Sequence, residues 1–141
     1  PPPGLITRNR PLDERETADV EFAHPIAKVI AGQDIGQTIV VKEQVVVAVE
    51  GLEGTDACIL RAGELAGPGC VVVKVSKPRQ DLRFDIPVVG RGTLESLVKA
   101  RCSALAVSAR ECLIFDREEL EAGAEAANIG IIAVESPAAL P

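Results

Sequence analysis

The run from Cys70 to Val75 limits most what this chain can fold into. Cys-Val-Val-Val-Lys-Val is poor helix material, because branching at Cβ restricts χ1. Read as a strand it has apolar side chains on both faces, so both faces must be covered. Such a strand sits inside a sheet flanked by helices, and the rest of the chain can supply both. Thr38–Val41 and Val45–Val49, separated by Lys42-Glu43-Gln44, read as a hairpin. Ala104–Ser108, Cys112–Phe115 and Ile131–Val134 read as further strands. Helical spacing runs from Asp13 to about Ala31, with a break or a new start expected near Pro25 and Gly32 as C-cap. A second helix opens at Gly54-Thr55-Asp56, capped by Thr55 or Asp56, and stops at Gly67-Pro68-Gly69. A third is capped by Thr93 and a fourth by Asp116, with the loop Ser76–Gly92 before the third. Strands alternating with helices predict an α/β fold: a mixed β-sheet flanked by helices in a single compact domain.

Composition narrows the class. The chain has 141 residues, 47% of them hydrophobic but only three Phe and no Trp or Tyr, so Val, Ile, Leu and Ala must build the core. A formal charge of -6 disfavours binding to nucleic acid, a polyanion. No apolar run is long enough for a membrane helix and no signal peptide is visible, so a cytoplasmic protein is expected. Cys58, Cys70, Cys102 and Cys112 lack the paired spacing of a zinc site and read as small buried thiols. The lone His24 precedes Pro25 and is expected at a helix cap or on the surface. A single histidine leaves no set for a His-rich dimetal centre. The opening Pro-Pro-Pro and the absence of an initiator Met suggest a fragment: residues 1–12 read as an extended linker from an upstream domain, and 13–141 as the α/β domain.

The chemistry concentrates after the buried strand. Lys74, Lys77, Arg79 and Arg83 stand with Asp81 and Asp85 within twelve positions. Ligands of open α/β sheets gather beyond the carboxyl ends of strands. From Gln80 onward polarity alternates, so an extended chain would put Asp81, Arg83 and Asp85 on one face, about 6.5–7 Å apart per two-residue step. Two carboxylates among cations suit a diphosphate: Mg2+ takes one or two carboxylates plus phosphate oxygens, cations neutralise developing charge, and a remaining carboxylate can orient water. A charged edge strand facing solvent would show the same pattern. Glu50-Gly51-Leu52-Glu53-Gly54-Thr55-Asp56 and Val89-Gly90-Arg91-Gly92-Thr93 both precede helices, whose free amide protons attract anions. Ordinary capped helices with loop glycines look alike.

Taken together, Asp34-Ile35-Gly36-Gln37-Thr38, Val49 to Asp56, Val73 to Pro78, Gln80 to Pro87, Gly90, Thr93 and Asp116-Arg117-Glu118 resemble the signature of the LpxI-type UDP-2,3-diacylglucosamine pyrophosphatases, carboxy-terminal domain. The similarity runs from about Leu5 to Val134. It implies magnesium-dependent hydrolysis of UDP-2,3-diacylglucosamine to UMP and 2,3-diacylglucosamine 1-phosphate in lipid A synthesis. It also implies an amino-terminal domain that shares the substrate. By position Asp85 matches the family's candidate catalytic aspartate. The residues themselves suggest Asp56 and Asp81 for the metal and Lys74, Lys77 and Arg83 for phosphate oxygens. Thr55, Gln80, Gly90 and Thr93 would complete the substrate contacts. A lipid-linked substrate further implies transient contact with the inner-membrane surface. A homodimer stays open, and a non-catalytic binding or dimerisation domain is the rival reading.

Overall fold

The computed structural model describes residues 1–77 and 87–135. Helix α1 (Glu14–Gly32) opens with a complete capping box. Asp13 Oδ1 accepts the Glu16 amide proton at 2.8 Å, and Glu16 Oε1 accepts that of Asp13 at 2.9 Å. The expected break at Pro25 does not occur. Proline removes the N–H that would reach the Glu21 carbonyl, but both residues are exposed, so water can take that bond. Gly32 is the last helical residue, with Gln33 as C-cap.

Strands β2 (Thr38–Lys42) and β3 (Val45–Val49) form the expected hairpin. Glu43 and Gln44 turn it with φ of +51° and +60°. The Asp19 carboxylate of α1 accepts both of their amide protons, at 3.2 and 2.8 Å. Strand β4 (Val71–Lys74) is buried at every position and lies antiparallel to β2 and parallel to β6 (Ala104–Ser108), which is parallel to β8 (Gly130–Val134). Gly4–Leu5 forms β1, antiparallel to β8. The main sheet thus runs β1-β8-β6-β4-β2-β3 and is mixed, as expected. Val88–Val89 (β5) and Leu113–Ile114 (β7) make a separate parallel pair, where the sequence suggested only loop and one longer strand.

The stretch read as a linker joins the fold. Besides β1, Thr7 is fully buried and its hydroxyl accepts the Ile131 amide proton at 2.9 Å. Arg10 grips the buried Glu16 through two bonds of 2.9 and 2.7 Å.

Alternation sorts the core into two layers. Val40, Val72, Leu105, Val107, Ile131 and Ala133 face α2 (Thr55–Ala66), α3 (Arg91–Lys99) and α4 (Arg117–Ala126). Ile39, Val41, Val71, Val73, Ala104 and Ala106 face α1, which meets them with Val20, Ala23, Ala27 and Ala31. Each fully buried Val or Ile stabilises the fold by about 1.5–3 kcal/mol. The chain steps from β3 to β4, β6 and β8 in one direction across the sheet, and crossovers keep one hand, so α2, α3 and α4 share a face. They pack closely: a Cβ on Gly63 would come within 2.8 Å of Ala100. The four cysteines are buried and unpaired, as expected. Burial pushes the Cys58 and Cys112 thiols up to about 11 and Cys102 to about 12, so all three stay protonated near neutrality. Among the described residues no helix is long and apolar enough to cross a membrane.

Candidate functional site

Strands β3, β4, β6 and β8 all end at one edge of the sheet, where α2, α3 and α4 begin. These three helices lack a side-chain cap, unlike α1, which begins at the opposite edge. Gly54 (φ +91°) and Gly90, rather than Thr55 and Thr93, are the N-caps of α2 and α3. Asp116 precedes α4 in the left-handed region with its side chain unused for capping. The first-turn amides of these helices are therefore not satisfied by capping side chains, which favours anions there.

The two helices nearest β4 start side by side. A Cβ on Gly92 would lie 3.8 Å from Asp56 Oδ2. Thr55, freed from capping, shares a hydrogen bond of 3.1 Å with the buried Thr38 hydroxyl at the start of β2. Thr38 in turn pairs across the sheet with Lys74. Lys74 is buried on the same side as Val72, and its Nζ donates to the Val88 carbonyl at 3.1 Å, tying β4 to β5. Thr93 is buried in the first turn of α3. Lys77, three residues past Lys74, stands 2.6 Å from Asp34 Oδ1 on the loop between α1 and β2. Thr55, Asp56, Lys74, Lys77, Gly90 and Thr93 thus converge on one edge. Gln80, Asp81, Arg83 and Asp85, with the shared face expected for them, lie outside the described residues.

Two other carboxylates of the same motif have structural work. Glu50 Oε1 accepts the Gln37 amide proton at 2.9 Å. Gly36 is pressed so closely on the Glu50 carbonyl that no side chain fits between them. Glu53 takes two bonds from Arg61, at 3.1 and 2.8 Å, and these hold its carboxyl below the usual range. Among the described residues Asp56, exposed, has neither kind of partner and remains as an oxygen donor. One such carboxylate fits the way Mg2+ is commonly held, by one or two carboxylates with phosphate oxygens and water. Among the described residues no three His, Cys, Asp or Glu side chains gather closely enough to cage a metal by themselves.

A polar cluster that sequence reasoning missed lies just behind this edge, on the α1 side. Ser76 is fully buried. Its hydroxyl donates to Glu111 Oε2 at 2.6 Å, its amide donates to Ser108 Oγ at 3.3 Å, and its carbonyl accepts from Lys28 Nζ at 3.1 Å. Lys28 Nζ also stands 4.0 Å from Glu111 Oε2. Burial draws the Lys28 ammonium down from its ordinary range and Glu111 opposes this. The partners stand 32 to 48 positions from Ser76, so no local pattern announces them. His24 is buried within α1 one turn before Lys28, not at a cap or on the surface, and its Nε2 has no hydrogen-bond partner among the described residues.

Comparison with known proteins agrees with the motif. Residues 2–132 match the family model described as LpxI C-terminal domain. The chain is 34% identical over 142 residues to the UDP-2,3-diacylglucosamine pyrophosphatase LpxI of Caulobacter vibrioides, covering 95% of this chain and 50% of the relative. The chain therefore spans about half the length of that relative. With the motif residues of Thr55, Asp56, Lys74 and Lys77 brought to one edge of the sheet, the chain belongs to the LpxI C-terminal domain family.

Proposed function

We propose that this domain provides one side of the site at which a two-domain enzyme hydrolyses UDP-2,3-diacylglucosamine to UMP and 2,3-diacylglucosamine 1-phosphate. The observation that supports it best is the meeting of the α2 and α3 starts beside Lys74, with the exposed Asp56 at their junction. Helix starts, ammonium groups and a single carboxylate together make a bed for a diphosphate. Lys74, Lys77 and Arg83 neutralise phosphate oxygens. Thr55 and Gln80 orient the diphosphate by hydrogen bonds, while Gly90 and Thr93 let the chain approach it closely. Asp56 and Asp81 are the donors that would hold Mg2+, which when bound supplies charge neutralisation at the phosphates. Asp85 orients a water for attack on one phosphorus and draws off its proton. The bridging oxygen leaves with the other phosphate, and the added charge falls where the cations stand. An amino-terminal domain covers the other side of the substrate, whose lipid chains bring the protein to the cytoplasmic membrane surface.

Asp85→Asn in the full-length protein tests the assignment, because amide for carboxylate keeps the shape and removes the base. Turnover of UDP-2,3-diacylglucosamine should fall by about 10²–10⁴-fold with the fold unchanged by circular dichroism. Turnover near the parent level would refute the role. Weakened association between domains or copies, with hydrolysis per complex intact, would indicate a docking segment instead.

A further inference from the structure

The Ser76 cluster has a use that the fold alone does not require. Ser76 is held at all three of its polar groups by three separate pieces of chain: α1 through Lys28, the end of β6 through Ser108, and the segment before β7 through Glu111. The next residue is Lys77, one peptide or about 3.8 Å further on. Its own partner Asp34 is set on a loop that Gly36 packs against Glu50. Resting on the proposed hydrolysis, we infer that Glu111 and Lys28 are positioning residues: by fixing Ser76 they fix where Lys77 meets the phosphate.

Energetics separates this role from a purely structural one. The Lys28–Glu111 contact is long, at 4.0 Å, between side chains 15% and 35% exposed, so little stability hangs on that pair. The short Ser76–Glu111 bond nonetheless fixes the backbone, and a misplacement of about 1 Å at a reacting centre can cost about 10²-fold in rate. Losing the cluster should therefore register in turnover more than in folding.

The test is a double-mutant cycle in the full-length protein with UDP-2,3-diacylglucosamine, using Glu111→Ala, Ser76→Ala and both together, with Glu111→Gln as the conservative variant and Asp85→Asn in parallel. Each alanine variant should lower kcat about tenfold or more while KM stays within about twofold and Tm within a few degrees. The double variant should be no slower than either single one, since both remove the same contact. Glu111→Gln, which keeps an acceptor for the Ser76 hydroxyl, should recover most of kcat. Parent-like kcat in Glu111→Ala with Asp85→Asn inactive would overturn the positioning role alone. So would losses that add in the double variant, or that follow Tm. Full turnover in Asp85→Asn would instead strike the underlying catalytic reading.

Discussion

His24 shows how one residue departs from its local sequence. Beside Pro25 it looks like a helix terminus, yet α1 continues through the proline because residue 25 faces solvent and His24 faces inward. Burial first, and the nearby Lys28 charge second, hold its imidazole below the ordinary value of 6.5. The unfolded chain then takes up the proton first as pH falls. The stability that neutral His24 contributes is complete above about pH 6.5 and is lost as pH drops through its folded-state value. Urea unfolding at about pH 7.5 and about pH 5 should show the parent losing more stability than His24→Leu over that interval. Equal losses would contradict the assignment. Carboxylates teach the same lesson: Glu50, Glu53 and Asp56 look equivalent in the motif, but only folded partners show that the first two are occupied.

At the scale of elements, the hairpin was readable and its turn was not. The valine runs of β2 and β3 announce paired strands, but Glu43 and Gln44 are poor choices for two successive left-handed residues. Asp19, 24 and 25 positions away, compensates by accepting both amide protons. Replacing the pair by Glu43→Asn and Gln44→Gly should raise the unfolding free energy by about 1–2 kcal/mol, measured by urea denaturation. No gain, or a loss, would show that the turn is unstrained. Helix starts were misread for a related reason. Thr55 and Thr93 have the residue types of caps, while the chain uses glycines before α2 and α3 and frees Thr55 to bond Thr38; Asp116 does hold the N-cap position of α4, but without a side-chain cap bond. Residue type alone cannot tell a cap from a site residue.

At the scale of the molecule, the α/β class and the mixed sheet were legible because the apolar run of β4 demands cover on both faces. The order β1-β8-β6-β4-β2-β3 was not, since pairing is decided by contacts distant in the chain. The order matters for function: it sends three uncapped helix starts and the ends of four strands to one edge, where Thr55, Asp56, Lys74 and Lys77 gather. The sequence supplied these residue types; the topology supplies their convergence. The most direct measurement of the account is kcat/KM for UDP-2,3-diacylglucosamine in the full-length Asp56→Asn variant. Asp56 is exposed, so folding should be untouched, and a loss of about 10–100-fold is expected if this edge holds the diphosphate and its metal. A kcat/KM within about twofold of the parent would contradict it.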